Sequence, residues 1–159
     1  MARARQETAR AEKDRKEAAI AFRNLGAIAG LRDPKRALEA YETAVDLDPD
    51  DLESLSGIGE IQIDYGDLNE AQTRLERVLT LAKTDDQAFY KYWALLGLGE
   101  IKKLRGDLAG ALKAFSDGLA IVARLAESEP SNANLRRDLS VSYNEVGDVQ
   151  KAQDTLPAR

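Results

Sequence analysis

The sequence predicts an all-α fold in which antiparallel pairs of helices stack into an array. The main observation is internal repetition: an apolar residue followed by Gly-Glu-Ile, then Gly-Asp-Leu, then Ala, occurs over residues 58–71 and again over 98–111, 40 residues later. Repetition at this spacing is typical of stacked-repeat proteins. No stretch alternates apolar and polar residues with the period of two that a half-buried strand requires. Because such arrays form grooves for other chains, we expect binding rather than chemistry.

Two less complete copies flank this pair. An upstream copy spans residues 25–49 and contains Leu-Gly, Asp-Pro, Ala, Tyr, Ala and Pro in order, and half a copy, Val-Gly-Asp-Val, spans 146–149. Each copy contains a glycine inside a predicted helix, where Gly costs about 1 kcal/mol relative to Ala. We therefore expect another helix to approach closely at each of these positions: Gly26, Gly59, Gly99 and Gly147.

Capping residues divide the chain into seven helices. Asp33-Pro34 has an N-cap residue followed by Pro in the first helical turn. Asp67 is followed three residues later by Glu70, the spacing of a capping box, and Asp107 repeats the cap without the acid. The predicted helices run over about 5–30, 34–47, 51–65, 68–83, 86–105, 108–128 and 132–153.

Composition excludes several kinds of site. The 159 residues include no Cys and no His, which removes thiol nucleophiles, His bases, disulfides and Cys/His zinc sites. Four acids cluster over residues 46–51, but the segment lacks the Gly and distal Glu of a calcium loop, so we expect these acids to cap the next helix. We expect no enzymatic activity, no cofactor and no metal.

The net charge and the hydropathy of the sequence limit the kinds of partner that we expect. The net charge is −5; the first 17 residues carry six bases and four acids, which leaves −7 on the remainder. An acidic body does not attract nucleic acid and favours basic partner segments. No apolar run approaches the roughly 18 residues of a membrane helix, and residues 1–16 lack the apolar core of a signal peptide. We expect a cytoplasmic protein that binds neither nucleic acid nor membrane.

The repeated pattern resembles the tetratricopeptide repeat (TPR) over residues 18–153. In that family a Leu-Gly pair lies within the first helix, a small residue begins the second, an aromatic residue follows four later, and Pro closes the unit. The residues that carry the resemblance are Leu25, Gly26, Ala37, Tyr41, Ala44 and Pro49 in the first unit, Ile58, Gly59, Ala71 and Leu75 in the second, and Leu98, Gly99, Ala111 and Phe115 in the third.

The resemblance implies a right-handed α-α superhelix, a TPR solenoid of three helical hairpins plus a C-terminal capping helix. Residues 1–17 would form a charged helical extension or a linker. The array would occupy 18–153, with units at about 18–50, 51–84 and 85–130 and the capping helix at 131–153, followed by a tail at 154–159. Residues 136–144 resemble a subgroup of bacterial TPR proteins with long units. In that subgroup the arrays accompany signalling or effector domains, which implies a piece or shortened relative of a larger protein.

In the family, the first helices of the units line a concave groove. Mapped onto this sequence through the mid-helix glycines, with one aromatic residue added from the fifth helix, the resemblance implies a partner-binding groove formed by Arg23, Glu53, Glu60, Ile63, Phe89, Trp93, Leu96, Glu100, Lys103, Asn144 and Asp148.

Two features of this set suggest a ligand. Glu60, Glu100 and Asp148 occupy equivalent positions on successive first helices and predict an acidic row; the alternative is an ordinary solvated face. The apolar stripe of Phe89, Trp93 and Leu96 on the fifth helix either anchors a partner or is buried beneath the fourth and sixth helices.

We therefore expect an interaction scaffold or adaptor whose groove binds a protein or peptide segment with basic residues and an apolar anchor. The alternative is homo-oligomerisation through the terminal helices or Trp93, or a structural module of a larger bacterial signalling or effector protein.

Overall fold

The computed structural model describes residues 1–155, and over that range it contains seven α-helices, one short 3-10 turn and no strand. The helices are α1 (Ala2–Gly30), α2 (Pro34–Leu47), α3 (Leu52–Tyr65), α4 (Leu68–Leu81), α5 (Ala88–Leu104), α6 (Leu108–Ser128) and α7 (Ala133–Asp154). The all-α prediction is confirmed. The first helix begins three residues earlier than expected, and most of the predicted tail lies outside the described residues.

The helices pair in sequence order. α1 packs with α2, α3 with α4 and α5 with α6, while α7 packs on α6 as the capping helix. α3 also contacts both α1 and α5, so the first helices of the three hairpins lie side by side along one wall. This arrangement is the predicted right-handed α-α superhelix of three hairpins plus a capping helix.

Two of the four predicted aspartate caps form. The Asp33 carboxylate accepts from the Arg36 amide at 3.0 Å, and that of Asp107 accepts from the Gly110 amide at 2.9 Å. The capping box predicted at Asp67 is wrong, because this side chain accepts no bond from α4. Asp67 and Asp107 have nearly the same backbone φ, so the backbone does not explain the difference. The Asp107 carboxylate lies where a β-carbon at Gly110 would stand. In α4 the equivalent residue is Glu70, whose β-carbon takes up that space. Among the acids of residues 46–51, Asp51 is the N-cap residue of α3, but its side chain accepts no capping bond from the backbone of that helix, because it accepts from Arg23 and from the Ser54 hydroxyl instead.

Three of the four repeat glycines lie where a second helix approaches, as predicted. A β-carbon would come within 2.6 Å of Tyr41 at Gly26, within 2.7 Å of Leu75 at Gly59 and within 2.5 Å of Phe115 at Gly99. The expectation for Gly147 is wrong, since among residues 1–155 no atom of another helix lies within 4 Å of its β-carbon position. The physical reason is that no second helix pairs with α7 within residues 1–155.

The capping helix is attached by a buried polar link that the sequence pattern did not indicate. The Tyr92 hydroxyl of α5 donates to the Asp138 carbonyl oxygen at 3.3 Å and lies 3.3 Å from the Ser142 hydroxyl of α7. Leu135 and Val149 bury the apolar face of α7 on either side of this link. These contacts fix α7 at the C-terminal end of the groove wall.

Candidate functional site

A concave groove of about 470 Å³ lies between α3 and α5. It brings together seven of the eleven residues predicted from the sequence: Glu53, Glu60, Ile63, Phe89, Trp93, Leu96 and Glu100. Their spacing explains this, because residues three and four apart on a helix share one face, and the two first helices present these faces to the same space.

The apolar wall of the groove is aromatic. The rings of Phe89 and Trp93 meet edge to face with centroids 5.9 Å apart, and the Trp93 and Tyr92 centroids are 5.5 Å apart. Tyr92 is fully buried, Trp93 is half-buried and packs on the core between α5 and α6, and Phe89 is exposed. Trp93 therefore has one side packed on the core and another side on the groove. Neither of the two predicted alternatives, complete burial or a freely exposed anchor, describes it fully.

The opposite part of the groove carries carboxylates without cations. Glu60, Asp64 and Glu100 all line the groove, and none has an ion-pair partner among residues 1–155. Partial burial in the concave wall raises the pKa of Glu60, and the negative charges of Asp64 and Glu100 raise it further. Water still reaches the Glu60 side chain, so the groove holds hydrated, uncompensated negative charge.

Arg23 lies at one end of the site and is held by acids of the next hairpin. Its Nη1 donates to Asp51 Oδ1 at 3.0 Å, and the Ser54 hydroxyl donates to the other Asp51 oxygen at 2.6 Å. Its Nε lies 3.2 Å from Glu53 Oε2, at an angle that makes no hydrogen bond. Arg23 therefore ties α1 to the start of α3, and Glu53 is the one groove carboxylate that already has a cation.

The remaining predicted residues do not line this groove. Lys103 Nζ donates to Glu145 Oε2 on α7 at 2.7 Å and lies 5.5 Å from the centroid of the Phe115 ring. Asn144 and Asp148 are exposed on α7. The groove thus gathers two members of the predicted acidic row, Glu60 and Glu100, while Asp148 stands apart from it.

Second-helix side chains that sequence reasoning missed form the floor of the groove. Tyr41 of α2 and Leu75 of α4 reach the groove because two glycines leave space for them. A β-carbon at Gly57 would come within 2.6 Å of Tyr41, and one at Gly97 within 2.7 Å of Leu75. Both glycines stand two residues before a repeat glycine, so their equivalent positions were a signal available in the sequence. The other residues that were missed are Asp64 and Tyr90.

Comparison with known proteins relates part of the chain to a repeat family. Residues 29–92 match the family model described as tetratricopeptide repeat. Over 122 residues the chain is 29% identical to the BBSome complex member BBS4 of Bos taurus; the alignment covers 77% of this chain and 21% of that protein. The chain therefore spans about a fifth of the length of this curated relative.

Two solved structures are similar over most of this chain. A crystal structure of MamA protein has a TM-score of 0.39 at 17% identity, covering 87% of each chain. The crystal structure of YrrB, titled a TPR protein with an unusual peptide-binding site, has a TM-score of 0.43 at 18% identity, covering 90% of this chain and 92% of that one.

The resemblance of residues 136–144 to long-unit bacterial proteins stays a prediction. No helix within residues 1–155 combines the length and the apolar character needed to cross a membrane.

Proposed function

We propose that this chain is an interaction scaffold or adaptor whose concave groove binds a segment of another protein. The segment carries an apolar side chain and, close to it, Lys or Arg. The observation that carries the proposal is that an aromatic wall at Trp93 and the unpaired carboxylates of Glu60 and Glu100 face one groove. We propose a binding role without catalysis, since the groove offers carboxylates and apolar side chains as its chemistry.

The apolar part of the ligand would lie against Phe89, Trp93 and Leu96. Half-buried aromatic side chains of this kind dominate the energetics of many interfaces, because they offer a large area that is already partly ordered. Their exposed edges stay hydrated until a ligand side chain replaces the water, and removal of apolar area from water contributes roughly 25 cal/mol per Å².

The basic part of the ligand would lie near Glu60, Asp64 and Glu100. Partial burial and the nearby charges of Asp64 and Glu100 raise the pKa of Glu60 in the free protein. A ligand cation would offset the repulsion and stabilise the charged form of Glu60, so attraction at this position favours a basic over an acidic segment. For a groove of this size we expect micromolar affinity, about −8 kcal/mol.

Trp93 allows a direct test because it is the sole tryptophan of the sequence. Peptides selected from a random library on the immobilised chain would be titrated while Trp93 fluorescence is followed. We expect enrichment of Lys or Arg next to a Leu, Ile or aromatic residue. Selection of acidic peptides, or binding that leaves Trp93 fluorescence unchanged, would contradict the proposal.

Charge removal inside and outside the groove gives the matched comparison. Glu60→Gln with Glu100→Gln should weaken a selected basic peptide about tenfold, which corresponds to about 1.4 kcal/mol. Glu39→Gln with Glu127→Gln removes the same charge from exposed positions away from the groove lining and should leave affinity nearly unchanged. Equal affinities of the two double variants would mean that groove carboxylates do not select the ligand.

Self-association is the second candidate function. A different surface favours it, because the first helix carries large apolar side chains that are exposed outside the groove.

A further inference from the structure

The C-terminal half of α1 is apolar on nearly every side and yet exposed. Between residues 18 and 31 the polar side chains are Arg23 and Asn24. Five large apolar side chains of this segment are accessible to solvent: Ile20, Phe22, Leu25, Ile28 and Leu31. The accessible fraction reaches 73% for Ile28 and 88% for Leu31. Helices that are apolar all round are ordinarily buried, so this segment has the composition of a covered helix.

In the second repeat, the positions of α3 that correspond to the exposed apolar positions of α1 are covered by neighbouring helices. Phe22 and Leu25 stand four residues and one residue before Gly26, and Leu55 and Ile58 stand at the same distances before Gly59. Leu55 and Ile58 are completely buried in the core to which α2, α3 and α4 contribute. α3 has both α1 and α2 before it, whereas the helices that pack on α1 within residues 1–155 are α2 and α3. The uncovered face of α1 is therefore a surface shaped for helix packing.

Small residues continue the same face toward the N-terminus. Ala4, Ala11, Ala18 and Leu25 recur every seven residues, so they lie along one side of α1, turned by about 100° from the buried stripe of Ala19 and Gly26. Every residue from 1 to 17 is exposed. A helical stretch of this length is marginal in water without packing, and its alanines let another helix approach closely.

We propose that a second copy of this chain packs its α1 antiparallel against this face. α1 has a half with small side chains, around Ala4 and Ala11, and a half with large ones, around Phe22 and Leu25. Antiparallel pairing of two copies sets the small half of each against the large half of the other, and such large-to-small matching fills an interface without voids. At 29 residues and 1.5 Å per residue, α1 is about 43 Å long, enough for an extended symmetric contact.

A head-to-tail contact with the other end of the array fits less well. The exposed part of α7 presents Asn144, Gln150 and Lys151 together with two exposed apolar residues, Val141 and Tyr143. A mostly polar face does not match the apolar face of α1, whereas a second α1 does. The symmetric arrangement also closes at two copies.

The first test is the solution mass as a function of concentration, measured by sedimentation equilibrium. We expect a rise from 17.4 kDa toward twice that mass. Ala11→Gln should shift the midpoint to at least tenfold higher concentration, since it obstructs close approach. Ala9→Gln, the same change nearly opposite on the helix, should not. Circular dichroism checks that both variants keep the wild-type helicity. A wild-type chain that stays at 17.4 kDa, or equal effects of the two substitutions, would overturn the proposal.

The second test reads the direction of pairing. The chain has no cysteine, so Ala4→Cys and Leu25→Cys chains can be made separately and mixed under mild oxidation. Antiparallel pairing predicts that the mixed disulfide between the two variants forms in preference to either like-with-like disulfide. Preferential like-with-like disulfides would indicate parallel helices and overturn the antiparallel arrangement. Because the face lies outside the groove, Glu60→Gln with Glu100→Gln should leave the dimer mass unchanged, which separates failure here from failure of groove binding.

Discussion

The ring of Phe115 in α6 lies against the backbone of Gly99 in α5, 2.5 Å from the place where a β-carbon on that glycine would stand. Phe115 is buried and cannot withdraw without opening the core between α5 and α6. Gly99→Ala should therefore destabilise the fold by about 1–3 kcal/mol through overpacking, even though alanine is the better helix former. The change in free energy of unfolding can be measured by urea titration followed by circular dichroism.

Gly147 provides the control with the opposite sign. It lies inside α7, and no other helix in the described part of the chain comes within 4 Å of its β-carbon position. Gly147→Ala should stabilise the chain by up to about 1 kcal/mol, since only helix propensity changes. Similar effects of the two substitutions would mean that Phe115 yields easily and that close approach does not explain the repeat glycine.

The contrast between these glycines shows how far the repeat pattern could predict the fold. The pattern identified the helices and the close contacts at Gly26, Gly59 and Gly99, because each contact is local to one hairpin. It failed at Gly147, where the second helix of a unit is missing within residues 1–155. A repeat glycine therefore predicts a close helix contact only where the second helix of its unit is also present.

The site shows a similar division. Residues on the facing sides of α3 and α5, such as Glu60 and Trp93, could be predicted because the resemblance indicates which face lines the groove and helical spacing then gives the residues on that face. Lys103 was expected in the groove but bonds to Glu145 of α7, since the angle at which the capping helix packs is a tertiary property. Tyr41 was missed for the converse reason: it reaches the groove from a second helix only because Gly57 leaves it space.

Arg23 should contribute more to stability than surface arginines do. It bonds to Asp51, whose side chain is only 10% exposed. Arg23→Met keeps most of the side-chain volume but leaves that carboxylate largely buried and without a cation, so we expect a loss of about 2 kcal/mol in the free energy of unfolding. Chemical denaturation at neutral pH and low salt would measure it.

Arg3 gives the matched control because its ion pair with Glu7 is almost fully exposed. Arg3→Met should change stability by less than about 0.5 kcal/mol. The double variant Arg23→Met with Asp51→Asn should recover part of the loss, since the buried charge is gone as well. If the double variant loses the sum of the two single effects, the pair is not coupled and this explanation is wrong.

Glu60 should make stability depend on pH in a defined direction. Burial, together with the charges of Asp64 and Glu100, raises its pKa in the folded chain. Between the ordinary glutamate pKa, about 4.3, and the raised value, the folded chain holds a proton that the unfolded chain has lost. Stability from this residue is therefore present at acid pH and falls as pH rises through the raised pKa. Glu60→Gln removes the charge and should abolish that fall.

The measurement is the melting temperature of wild type and variant from about pH 4 to neutral. The difference, variant minus wild type, should be smallest at acid pH, increase as pH rises, and level off once Glu60 is ionised in both states. Glu39→Gln, at an exposed position on α2 away from the groove lining, should show no comparable trend. A difference for Glu60→Gln that is constant across the range would mean that burial and the charges of Asp64 and Glu100 do not raise the pKa of Glu60. A basic peptide bound in the groove should reduce the difference at neutral pH, because its cation stabilises the ionised carboxylate of the wild type and has no such effect on the amide.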